Sequence, residues 1–181
     1  MLSQSQRQLL LSIARRSIEA VLSGSRLDFD SVETDRELSR PSGVFVSLHT
    51  LAGDLRGCIG SIQAVAPLAR AVASSAVNAA TRDPRFHPLR PDELASVKIE
   101  ISVMSPIVPV ESLDEIVVGR DGLIISMGRA AGLLLPQVAL SYGWDREAFL
   151  SHTCTKAGLE PEAWQNPECR IERFSAEVFG E

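Results

Sequence analysis

The chain has 181 residues, 45% of them hydrophobic and 23% charged, with a formal net charge of −5 at pH 7. That composition excludes a disordered chain, and this length buries about 70% of the unfolded surface, enough for one domain or two small subdomains without a disulfide or metal staple. No apolar run reaches the ~18–20 residues of a bilayer span. Met1 to Arg16 mixes Ser, Gln and Arg with its leucines, which is not the pattern of a signal peptide. The three cysteines, Cys58, Cys154 and Cys169, are widely spaced and fit a reducing cytoplasm better than a secreted disulfide framework.

In chain order, Leu9, Leu10, Ile13, Ala14, Ser17 and Val21 follow helical spacing and predict an amphipathic helix over residues 5–22. Residues 25–42 are polar and acidic without a period, a loop or arm. Residues 44–49 and 55–62 are β-rich runs joined through Gly53 and Asp54, which predicts a hairpin. Ala, Val and Leu with Pro67 near the start predict a helix to Thr81. Pro84 and Pro88 exclude a helix over residues 83–88. Residues 97–104 alternate as a half-buried strand. In the second half, an offset of 79 places Gly122 on Gly43, Leu134 on Leu55 and Val138 on Ile59, the reading of a duplicated hairpin. Residues 138–142 and 145–157 read as helices, the second capped by Asp145 and stopped at Gly158, and residues 169–179 as the last strand. The fold class is therefore α+β, with duplicated hairpin and helix units forming a mainly antiparallel sheet that could curl into a barrel-like form. Residues 1–42 make an N-terminal helix and arm, and residues 43–181 a domain whose repeats run about 43–104 and 122–179.

The charge is divided unevenly. Residues 1–90 hold eleven Arg against eight acids, and residues 91–181 seven bases against fifteen acids. A nucleic-acid-associated regulator, which would carry a basic stripe, ranks third for that reason. A local anion site in the first half fits better: Arg56, Arg70, Arg82, Arg85 and Arg90 face only Asp54 and Asp83 between Gly53 and Arg90.

The segment Leu55-Arg56-Gly57-Cys58-Ile59-Gly60 is the densest in chemistry. In an extended chain Arg56 and Cys58 share a face, where a guanidinium favours thiolate over thiol; the structural alternative is a small cysteine in a tightly packed strand. His87, in the proline loop, is a weak candidate base for Cys58, and His49 and His152 read as packed or surface residues. Asp83 and Arg85 are read either as an anion holder with its orienting carboxylate or as a loop staple, in which Arg85 pairs with Asp83 and Phe86 plugs the core. The repeat sets Gln137 opposite Cys58, so a pseudo-two-fold would bring those two together. His152-x-Cys154 is too weak a pair for a metal, and no cofactor motif is present. Trp144 and Trp164 are too few and too separated for a base-stacking platform.

Taken in order, Gly43-Val44-Phe45-Val46, Leu55-Arg56-Gly57-Cys58-Ile59-Gly60, Asp83-Pro84-Arg85-Phe86, Leu133-Leu134-Leu135-Pro136-Gln137-Val138 and Lys156-Ala157-Gly158-Leu159 resemble the AMMECR family, the AmmeMemoRadiSam system protein A of bacteria and archaea. The resemblance covers residues 43–179 and departs at His87, where it implies proline. It implies an α+β fold on a duplicated β-rich unit, and as companions a radical S-adenosylmethionine protein and a Memo-like protein. It brings no settled reaction. Two readings lead: a cytoplasmic accessory module that holds a small anion in a cleft lined by Arg56, Cys58, Asp83, Arg85 and Gln137, or a cysteine-dependent enzyme of group transfer or hydrolysis with Cys58 as nucleophile.

Overall fold

A computed structural model describes residues 2–25 and 36–181. The loop expected over residues 25–42 falls outside the described residues between 26 and 35. The chain divides into two compact units: Met1–Met104 with Glu177–Glu181, and Ser105–Ala176. The fold is α+β with antiparallel strand pairing and flanking helices.

In the first unit, α1 (Gln4–Leu22) starts from a capping box in which Ser3 and Gln6 bond each other's backbone N–H, the reciprocal closure that frees neither donor. Strands β1 (Val44–Thr50) and β2 (Leu55–Ser61) form the expected hairpin, and β3 (Val97–Met104) pairs with the other side of β1. The end of the chain lies along β3, where the Glu181 N–H donates to the Ile99 carbonyl. Period-two alternation sends Val44, Val46 and Leu48 with Ile99 and Ile101 to one face, where α1 and α2 (Leu68–Thr81) cover them. Fully burying each Leu or Ile there contributes about 1.5–3 kcal/mol. The covering face of α2 is built from small residues, Ala69, Ala73, Ala76, Ala79 and Ala80. They let the helix sit so close that a Cβ on Gly57 of β2 would run into the Ala79 carbonyl.

The chain between α1 and β1 is tied to the start of α2: Leu38 is buried and its carbonyl accepts the Ala69 N–H at 3.1 Å, while the Arg40 carbonyl accepts that of Leu68 at 2.9 Å. After α2, a 3-10 helix spans Pro91–Ser96 and leads into β3.

The second unit pairs β5 (Asp121–Met127) with β6 (Ala130–Leu134) and with the first part of β7 (Arg170–Gly180), which also pairs with the two-residue β4 (Val108–Pro109). Helices α3 (Pro136–Tyr142) and α4 (Arg146–Lys156) follow β6. Asp145 caps α4 by accepting the Ala148 N–H, as expected. Leu123, Ile125, Phe149, Leu150 and Cys154 form this unit's core.

The register corrects the one-offset alignment of the two hairpins. Ser47 pairs with Cys58 in the first and Ser126 with Ala131 in the second, so with Ser126 set on Ser47 the residue matching Cys58 is Ala131, not Gln137. The cause is the turn. The first hairpin closes through Leu51–Asp54, whereas the second turns at Gly128 and Arg129. Gly128 supplies φ +59° there, a conformation that glycine adopts freely and that a two-residue hairpin turn requires. Gln137 is thereby carried onto α3, where it is exposed. Among the described residues no helix is long and apolar enough to cross a membrane.

Candidate functional site

Strand β2 is an edge strand, paired on one side only, with β1. An edge strand presents unpaired N–H and C=O groups that proteins normally cover or charge. At Cys58 the cover comes from the loop after α2. The Asp83 Oδ2 accepts the Cys58 N–H at 2.8 Å, and the Arg85 Nη2 donates to the Cys58 carbonyl at 3.2 Å. Two side chains thus take the place of one residue of a neighbouring strand.

The cover is itself braced. Arg85 donates from Nε to Asp83 Oδ1 at 2.9 Å and from Nη2 to Oδ2 at 2.7 Å, a two-point guanidinium–carboxylate pair. The Arg85 backbone N–H also donates to Oδ1 at 3.1 Å, and the Phe86 N–H to the Asp83 carbonyl. The Asp83 side chain is only 2% exposed, while that of Arg85 is 55% exposed and lies 5.5 Å over the Phe86 ring. The hydrogen-bonded Arg85 holds the Asp83 carboxyl well below the usual carboxylate range, with the two backbone donors helping, against the opposing effect of burial. The same pairing raises the pKa of Arg85, to which the nearby Cys58 sulfur also contributes.

Cys58 is half-buried, and its side chain shares the sheet face opposite the helices with Ser47 of β1, its cross-strand neighbour. Ser47 Oγ donates to Cys58 Sγ at 3.2 Å. Ser47 was not singled out in the sequence, although the hairpin register would have found it. The sulfur thus has a hydroxyl donor from β1, while the Arg85 guanidinium holds the carbonyl of the same residue. Cys154 is buried, and burial pushes the thiols of both Cys154 and Cys169 up.

Arg56 differs from the expectation of a cation beside the sulfur. Its Nε and Nη2 donate to Glu93 at 3.3 and 3.2 Å, and its Nη1 to the His87 carbonyl at 3.0 Å. Glu93 also accepts the Arg90 N–H at 2.9 Å. Arg56 thus clamps the proline loop and the 3-10 helix onto β2. His87 serves through its backbone; its side chain is exposed and makes no hydrogen bond to Cys58. His49 pairs with Leu55 in the ladder and faces Glu100, 3.9 Å from Nε2. Cys58, Asp83, Arg85 and Arg56 are brought together, and Gln137 belongs to the second unit. Among the described residues no group of three or more His, Cys, Asp or Glu could hold a metal ion.

A second buried aspartate repeats the bracing chemistry. Asp121, 1% exposed, takes Arg120 at two points, 2.8 and 2.6 Å, and accepts the Val117 N–H. It closes its own turn, whereas Asp83 reaches from its turn to the edge of another element. That separates a local staple from one that shapes a site.

Tyr142, Trp144 and His152 form a stack, with centroids 4.8 and 3.8 Å apart. Local spacing does not reveal it, because His152 comes from α4.

The AMMECR1 family profile matches residues 11–179. A protein of Methanothermobacter thermautotrophicus is 46% identical over 189 residues, covering 99% of this chain and 96% of its own. One from Thermococcus gammatolerans is 43% identical over 183 residues, covering 96% and 89%. The crystal structure of an uncharacterised protein from Pyrococcus horikoshii superposes with a TM-score of 0.83 at 40% identity, covering 96% of this chain and 90% of that one.

Proposed function

This chain belongs to the AMMECR1 family, and on that premise we propose that it is a binding module which holds a small anion at the covered edge of β2. Arg85 supports the reading most directly. Its Nε and Nη2 are committed to Asp83 and the Cys58 carbonyl, but Nη1 bonds to neither, and the side chain is 55% exposed. A guanidinium fixed from behind and open in front is pre-organised for a carboxylate or phosphate oxygen. Arg56 and Asp83 act as framework: one fixes the loop and the other orients Arg85.

The resemblance to the AmmeMemoRadiSam system extends the proposal to an accessory role in the cytoplasm, beside a radical S-adenosylmethionine protein and a Memo-like protein. A module of this kind would present the anionic group of a companion's substrate.

The Ser47 hydrogen bond to Cys58 Sγ favours a second reading, a cysteine-dependent group transfer or hydrolysis. In it the Cys58 sulfur attacks an acyl carbon, Arg85 stabilises the oxygen that gains charge, the original leaving group departs as the carbonyl re-forms, and water or an acceptor then takes the acyl group and releases the thiol. It ranks second because His87 contributes only its carbonyl.

The binding reading is tested by titrating the ¹⁵N-labelled full chain with inorganic phosphate. Saturable shifts confined to the Arg85 Nε–H and the Cys58–Gly60 amides, and lost in Arg85→Gln, are expected. Shifts spread evenly over exposed arginines, unchanged in Arg85→Gln, would overturn it.

A further inference from the structure

The edge of β2 carries one more set of backbone groups than the Asp83–Arg85 pair covers. In an antiparallel ladder, hydrogen-bonded and non-hydrogen-bonded pairs alternate. Ser47–Cys58 is of the second kind, since both polar backbone groups of Cys58 go to the loop. The register runs without a shift from Val44↔Ser61 to Leu48↔Gly57. Phe45–Gly60 is therefore of the second kind too, and Gly60 directs its N–H and C=O to the same open edge. Among the described residues no group outside the ladder hydrogen-bonds to them. Gly60 has no side chain to screen these groups, and the Arg85 guanidinium, on the Cys58 carbonyl, stands next along the edge on the N-terminal side.

We propose that Gly60 and Arg85 together bind the C-terminal residue of an extended peptide, its α-carboxylate on Arg85 and its N–H on the Gly60 carbonyl. This rests on the anion-binding reading above and names the class of anion. The geometry selects a chain end. A strand added antiparallel to β2 would bond Gly60 through its own N–H and C=O. Its next step would carry it to Cys58, where Asp83 and Arg85 already occupy the neighbour's place. The added chain must stop opposite Gly60. In the antiparallel direction its C-terminal end is the one that points toward Cys58, so the terminal carboxylate meets the Gly60 N–H with one oxygen and the guanidinium with the other. A parallel chain would bring its ammonium end to Arg85, which like charge disfavours.

The test is a ¹⁵N NMR titration of the full chain with N-acetylglycine, the smallest peptide C-terminus, beside N-acetylglycinamide, free glycine and inorganic phosphate. N-acetylglycine is expected to shift the Gly60 amide and the Arg85 Nε–H together, at least tenfold more tightly than its uncharged amide. Arg85→Lys is expected to weaken it severalfold, and Arg85→Gln to abolish it. Free glycine binding as tightly as N-acetylglycine would assign the site to a free amino acid and overturn the chain-end proposal. N-acetylglycine silent at Gly60 while phosphate still shifts Arg85 would overturn this inference and leave the anion reading standing; silence from both would overturn both.

Discussion

The Asp83 carboxylate, 25 residues further along the chain, accepts the Cys58 backbone N–H at 2.8 Å, so the loop after α2 completes the open edge of β2. With Arg85 on the Cys58 carbonyl, the most distinctive segment of the sequence is held by its backbone, while its sulfur and the outer part of Arg85 are left for other work.

Asp83→Ala removes the acceptor for four backbone and side-chain donors at once and leaves Arg85 unanchored. Breaking such a buried charge-assisted pair costs about 2–4 kcal/mol, a Tm loss on the order of 10 °C for a chain of this size. Thermal unfolding followed by circular dichroism measures it.

Asp83 also sets an acid-dependent stability. Its carboxyl is held well below the usual range in the folded state by Arg85, so between the two values the unfolded chain binds the extra proton. The contribution is complete above the unfolded pKa of about 3.9 and is lost as pH falls below it. Urea unfolding at a series of pH values from 7 to 3 is expected to show a shallower acid slope in Asp83→Asn than in the native chain. Asp121, whose burial pushes its carboxyl up but whose hydrogen bonds from Arg120 and the Val117 N–H, with the charges of Arg120 and Arg173, together hold it lowered, retains part of the slope.

Gly57→Ala places a methyl against the Ala79 carbonyl and forces α2 away from β2. Overpacking of this kind costs about 1–3 kcal/mol. Denaturant unfolding reads the loss. Because the loop that follows α2 carries Asp83, the Cys58 amide should also lose hydrogen-exchange protection.

Much of the first unit was legible in the sequence because local signals and tertiary packing agree there. Val97, Ile99, Ile101 and Val103 alternate, and β3 occupies Val97–Met104. The Gly53–Asp54 signal closes the β1–β2 hairpin, and in the second unit Asp145 caps α4. The second hairpin misled where one offset was applied across turns of different length: apolar residues at β6 and at α3 match the first hairpin equally well, and only the two-residue turn at Gly128 decides between them. At the site, the close spacing of Asp83 and Arg85 was visible, but their bonds to Cys58 depend on how the loop returns to β2. Arg56 was assigned to the thiol because strand alternation puts the two on one face. Alternation does not reveal that Glu93, on a 3-10 helix, captures the guanidinium. Gly60 carried no side-chain signal at all; only the ladder shows which way its peptide groups point.

The three cysteines should separate by environment. Cys58 is half-buried on an edge strand, whereas Cys154 is in the core and burial raises the thiols of Cys154 and Cys169. Limited alkylation with iodoacetamide at pH 8, read by mass spectrometry, is expected to label Cys58 faster than Cys154 by at least on the order of tenfold. Labelling of Cys58 only after unfolding would make it a packing residue and remove the second reading.

The most direct measurement of the central claim, that Arg85 draws anions to the Cys58 edge, compares two alkylating agents of nearly equal size, anionic iodoacetate and neutral iodoacetamide. Their rate ratio at Cys58 is measured against the ratio for a small free thiol. A guanidinium a few ångströms from the reacting group contributes on the order of 1 kcal/mol in a solvated site, about fivefold in rate. The ratio is expected to be raised by about that factor at low salt, to fall with added salt and to return to the free-thiol value in Arg85→Gln. A ratio equal to that of the free thiol, and unmoved by Arg85→Gln, would contradict it.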